Sequence, residues 1–185
     1  MTTRRRVSRP HTGTPFRLSS RLLCDSSNAK EQPRELFAVF PLSAAAQPPL
    51  LDEFRVVLGT QPRQGKEWQG DGRTPVGRYY VADKNRESRF HRFLGISYPN
   101  VEDAERGYRS GRLDAGAWAD IFLANLRGEA PPWHTALGGR VGIHGYGGRP
   151  YLPVDWTEGC VAVSDQEIEF IYERAPLGTP VIINE

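Results

Sequence analysis

Two side chains in the C-terminal third have the chemical type and the setting for covalent chemistry. His144 closes the apolar run Val141-Gly142-Ile143, and Cys160 follows Gly159 at the start of Val161-Ala162-Val163. A cysteine attacks as its thiolate, so it needs a nearby base or electropositive surroundings. An imidazole titrates near neutrality, so His144 can take the thiol proton and later give it to a leaving amine. Gly159 allows close backbone approach, which makes the amides of Gly159 and Cys160 candidate donors to an oxygen that gains charge. By mutational precedent, loss of one such donor costs on the order of 3 kcal/mol in the barrier. Each residue also has a purely structural reading. Cys160 beside Val161 and Val163 suits a core, and His144 beside Gly145 suits a satisfied strand end. His134, His144, Asp155 and Cys160 are all possible zinc ligands, but their spacing matches no compact ligand motif.

Short strands and capped helices must position this pair. Glu35–Phe40, Phe54–Leu58, Tyr79–Ala82, Phe93–Tyr98, Arg140–His144 and Pro180–Ile183 have strand character, with a turn expected through Asp83-Lys84-Asn85. Trp118, Ile121, Phe122, Leu123 and Leu126 recur at helical spacing, with Asp114 as a candidate cap. Ser164-Asp165-Gln166-Glu167 is a capping box that opens a further helix, ended by Gly178. Residues 59–78, dense in Gly, Pro and polar side chains, should form a long surface connection. No internal repeat is evident.

At 185 residues and 38% hydrophobic content the chain has room for one domain with a tail. Six arginines and no acid fall in residues 1–23, which leaves the remainder at about −4 against a net charge of +2. Basicity is therefore local, and no nucleic-acid partner is expected. Residues 1–33 are expected to be a solvated Arg/Ser-rich tail and residues 34–185 the domain. Two cysteines, Cys24 and Cys160, make no disulfide framework. No run reaches the roughly 18 apolar residues of a membrane helix, and no signal-peptide core follows the basic start.

Three ordered blocks carry a family resemblance. G-I-H-G…D-W-T-E-G-C-V-A-V-S at 142–164, G-D-G-R-T-P-V-G-R-Y-Y within 58–81 and S-R-F-H-R-F-L-G-I-S-Y-P-N at 88–100 resemble the signature segments of the L,D-transpeptidase, or YkuD, catalytic domain. The resemblance covers roughly residues 34–185. It implies a mainly β domain of mixed sheets with a few peripheral helices. It also implies a Cys160 nucleophile with His144 as acid and base, supported in the loop by Thr157, Gly159 and Gly145 and requiring no cofactor. Tyr98 and Trp156, within the matching blocks, are the expected substrate contacts. Asp71, Gly72, Thr74 and Pro75 are expected to be architectural.

The implied reaction is acyl transfer on peptidoglycan stem peptides in the periplasm or cell wall. Hydrolysis by water and a non-catalytic wall-binding module are the alternatives. An activated Cys160 should react faster than an ordinary thiol near pH 7. Many members of the family carry Arg two residues after the cysteine to grip a substrate carboxylate, whereas this chain has Ala162. The T-x-G-C-V-A form resembles a branch in which hydrolytic cleavage of peptidoglycan is also known.

Overall fold

The computed structural model describes residues 16–23, 34–41, 52–62 and 64–184, the first two segments as backbone strands alone. In chain order the strands are β1 (Phe16–Leu23), β2 (Arg34–Pro41), β3 (Asp52–Arg55), β4 (Gly77–Ser88), β5 (His91–Ile96), β6 (Gly142–His144), β7 (Val161–Ala162) and β8 (Pro180–Ile183). The helices are α1 (Val101–Arg109), α2 (Ala115–Arg127) and α3 (Asp165–Arg174). The strands lie in the order β3-β2-β1-β8-β4-β5-β6-β7, mostly antiparallel, with β1–β8 and β6–β7 parallel. Chain immediately after β3 returns to the far edge, where Val57 bridges Ala162 and Gly59 bridges Thr157. The sheet therefore curls, and this mainly β, mixed-sheet fold is the one expected.

The core lies inside the curl. Val81, Leu94, Ile143 and Val181 from the strands meet Ile168, Ile171 and Tyr172 from α3. Ser164 and Glu167 form the capping box expected of α3, an arrangement that contributes about 1 kcal/mol, and Asp114 caps α2 through the Ala117 N–H. A second small core, Ala104, Leu113, Ile121 and Leu137, holds α1 and α2 together.

Several elements differ from the sequence expectation. Phe16–Leu23 falls inside the expected tail yet pairs with β2 along its whole length, because Phe16-Arg17-Leu18 begins a period-two pattern that a strand can use. Cys24 lies outside the described residues. β4 continues through the expected turn at Asp83-Lys84-Asn85, with register shifts on either side of it, and the Lys84 ammonium donates to the Tyr172 and Ala175 carbonyls at the end of α3, at 2.6 and 2.9 Å. The reversal falls instead at Arg89–Phe90, with His91 at φ 74°. α1 was not anticipated; its capping box uses Asn100 and Asp103. α3 ends at Arg174, and Gly178 belongs to the following turn.

Candidate active site

Parallel pairing of β6 with β7, Ile143 opposite Val161 and His144 opposite Ala162, sets Cys160, the residue before β7, on the strand neighbouring the one that ends in His144. Sγ of Cys160 lies 3.9 Å from the Arg140 carbonyl, so the thiol rests against the chain leading into His144 and not on the imidazole itself. Burial pushes this thiol up from 9.0 to about 11; the Gly142 N–H and the Lys66 charge pull it back in part, and Glu158 raises it further. Burial thus favours the neutral thiol of Cys160, so its proton must be removed before or during any attack.

His144 is 2% exposed. Phe90 stacks on its ring at 4.2 Å between centroids, and Trp156 lies at 6.0 Å. Nδ1 is 2.7 Å from the Gly145 carbonyl. A carbonyl only accepts, so Nδ1 carries the proton and Nε2 presents its lone pair. Burial is the main force that lowers the His144 pKa from 6.5; the Gly145 bond opposes it, the charges of Arg89 and Arg149 add to it, and Asp165 opposes it. The imidazole is therefore neutral and in the tautomer a general base needs. Gly145 itself is required sterically. A Cβ there would meet the Asp165 carboxylate and lie 2.8 Å from the Phe90 carbonyl.

The loop before Cys160 is ordered by one hydroxyl, one carboxylate and a pair of backbone bonds. Thr157 Oγ1 donates to the Cys160 carbonyl at 2.7 Å and accepts the Gly159 N–H at 3.2 Å. Gly159 is therefore a loop support whose amide is already engaged. The Cys160 amide, with no protein acceptor among the described residues, is the donor left for an oxyanion. Asp155 accepts the Leu58 N–H at 2.8 Å, and Thr157 exchanges backbone bonds with Leu58 and Thr60.

Against the other side of this loop sits the turn 66–74. Gly159 has φ +129°, and a Cβ on it would lie 2.5 Å from the Arg73 carbonyl and 3.8 Å from Lys66 Nζ. Asp71 binds Lys66 Nζ at 2.8 Å and accepts the Glu67, Trp68 and Arg73 N–H groups. Burial alone would raise Asp71, but these four donors outweigh it and hold its carboxyl below the ordinary value. Thr74 accepts the Gly59 N–H at 2.9 Å.

Among the expected site residues, the structure gathers Cys160, His144, Thr157, Gly159, Gly145 and the partly exposed Trp156. Tyr98 is a correction. It is 0% exposed, its hydroxyl donates to the Leu137 carbonyl and its ring packs edge-on to Tyr79, so it supports the core where substrate contact was expected. Among the described residues no three His, Cys, Asp or Glu side chains come together as a metal cage. Sequence reasoning missed Phe90 and Lys66. The matching S-R-F-H block contains Phe90, and its aromatic next to a hairpin turn was the available signal. Lys66 had none, because its burial depends on Asp71.

A curled sheet whose parallel β6–β7 pair brings a histidine and a cysteine together defines a class, and sequence comparison agrees. The profile of the YkuD family, the L,D-transpeptidase catalytic domain, matches residues 47–183. The chain belongs to that family. Among solved structures, Bd1075 from Bdellovibrio bacteriovorus aligns with TM-score 0.50 and 18% identity over 80% of this chain and 43% of its own. L,D-transpeptidase 1 from Mycobacterium tuberculosis aligns with TM-score 0.40 and 12% identity over 81% of this chain and 56% of its own. The chain thus spans about half the length of the solved chains it matches. No curated protein matches the sequence.

Proposed function

We propose that this protein is a cysteine acyltransferase acting on peptidoglycan stem peptides, with Cys160 as nucleophile and His144 as its acid and base. The observation that carries the reading is the His144 Nδ1–H donated to the Gly145 carbonyl, which leaves Nε2 basic on the strand beside Cys160. Family membership supports the substrate class, and the TEGCVA loop supports placement in the branch read from the sequence.

Because the resting thiol is neutral, Nε2 removes its proton as sulfur attacks the scissile carbonyl carbon. The carbonyl oxygen gains charge facing the Cys160 amide. As the tetrahedral adduct collapses, the carbon–nitrogen bond breaks and the imidazolium protonates the departing amine, leaving a thioester on Cys160. An incoming stem-peptide amine then attacks the thioester, gives its proton to Nε2, and the sulfur leaves and regains a proton from the imidazolium.

Incubation with a defined disaccharide tetrapeptide, followed by mass spectrometry of products, tests the reading. A cross-linked dimer and a protein adduct at Cys160 support transfer. Free shortened peptide alone makes water the acceptor, and a Cys160→Ala variant with undiminished turnover removes Cys160 from the mechanism.

A further inference from the structure

Two guanidinium groups flank the buried imidazole. Arg89 lies over the Phe90 ring with Cζ 4.7 Å from its centroid, and Phe90 is the ring stacked on His144. Arg149 lies over Trp156 at 5.6 Å, and Trp156 is the other aromatic beside His144. Both side chains are exposed, and neither forms an ion pair with an acidic residue among the described residues; Arg55, Arg78, Arg140 and Arg174 share that property, and what sets Arg89 and Arg149 apart is that the rings beneath them are the two beside His144.

Their backbones are locked together. The Gly145 N–H donates to the Phe90 carbonyl at 3.1 Å, and Gly147 passes so close to Arg89 that a Cβ on it would lie 2.6 Å from the Arg89 carbonyl. Asp165, at the start of α3, accepts the Gly147 and Gly148 N–H groups at 2.8 and 2.7 Å and fixes the loop that presents Arg149. The β4–β5 turn and the loop after His144 are therefore one rigid unit that displays two cations on aromatic shelves. At position 162, Ala162 is fully buried with Val57 and Tyr146.

We propose that Arg89 and Arg149 form the subsite for the free carboxylate of the amino acid that leaves in the first half-reaction. This rests on the acyl-transfer reading above. His144 protonates the leaving amine, so the leaving residue occupies His144's side of the scissile bond, and its carboxylate lies one residue beyond that nitrogen. A planar guanidinium matches a carboxylate fork to fork, and an aromatic shelf holds it extended without neutralising it. The subsite confines cleavage to peptides that end one residue after the scissile bond. An amidated end, or one extra residue, places a neutral group or a longer chain where the two cations wait.

The test has a binding arm and a turnover arm. Titration calorimetry on Cys160→Ala compares a stem tetrapeptide, its C-terminal amide and the corresponding pentapeptide, in the Arg89 and Arg149 background and with Arg89→Gln, Arg149→Gln or both. A charge-assisted hydrogen bond is worth about tenfold in affinity even when discounted for exposure. Each single substitution should thus weaken the tetrapeptide acid about tenfold and the pair about a hundredfold, with the amide unchanged. Arg89→Lys should recover part of the loss.

The same Arg variants with Cys160 retained should show the change in KM and little in kcat, and thermal melting should show all of them folded. Equal affinity for acid and amide in the protein with both arginines, or undiminished preference for the acid in the double Gln variant, overturns the subsite. Preference for the acid with no turnover of any peptide sinks the acyl-transfer reading and leaves a carboxylate-binding site standing.

Discussion

The ionisation state of Cys160 makes the sharpest prediction. The shift from 9.0 to about 11 leaves roughly one hundredth of the thiolate that an ordinary cysteine has at pH 7. Each thiolate is about six to ten times more nucleophilic for those two units of basicity, so alkylation by a small neutral reagent should be about tenfold slower than for an unstructured cysteine. Iodoacetamide labelling of Cys160, followed by intact mass and peptide mapping to separate it from Cys24, should show a rate that rises tenfold per pH unit through pH 9 and levels near pH 11. Acylation by a peptide should behave differently, because Nε2 of His144 assists it and that group is protonated only below 6.5. Its rate should be flat from about pH 7 to 9 and fall on the acid side. A plateau in iodoacetamide reactivity below pH 8 would refute the neutral-thiol picture and show a thiolate–imidazolium pair at rest.

Asp71→Ala should cost about 3–5 kcal/mol in urea unfolding, because it strands the Lys66 ammonium in the interior; a change under 1 kcal/mol would show that Lys66 finds water. Thr157→Val keeps the volume but leaves the Cys160 carbonyl and Gly159 amide unpaired, so the unfolding free energy should drop by about 2–4 kcal/mol, with Thr157→Ser close to the parent. Gly159→Ala should abolish adduct formation as well as lower the melting temperature, since it combines φ +129° with a clash against Arg73; a variant that still forms the adduct at the parent rate contradicts this packing. His144 is depressed on folding, so below pH 6.5 the unfolded chain takes up a proton the native chain resists, and stability should decline as pH falls from 6.5. His144→Gln should flatten melting temperature against pH in that range. Asp71 does not obscure the result, because its contribution fades only below 3.8.

Cys160 and His144 were legible as a candidate pair because glycines, short apolar runs and a capping box leave marks at fixed local spacing. What escaped were features created by partners distant in sequence. Lys84 looks like a turn residue until the end of α3 supplies carbonyls for it, and Lys66 looks like a surface lysine until Asp71 folds over it. Tyr98 looked like a ligand contact because an aromatic beside Pro99 has two uses, and only the Leu137 carbonyl shows which one applies. The flanking pair Arg89 and Arg149 lies sixty positions apart and meets only through Phe90, Gly145 and Gly147.

The bridges from Val57 and Gly59 to Ala162 and Thr157 set an order of events during synthesis. The Leu58 amide and the Asp155 carboxylate that joins it are 97 positions apart, and closing such a loop costs about 4 kcal/mol before any contact repays it. A ribosome exposes the early half of this seam long before the late half, so that half must wait as an unpaired edge. The loop that carries Cys160, conversely, emerges to find its template already made. The Cys160 thiol therefore acquires its folded surroundings only when the seam closes.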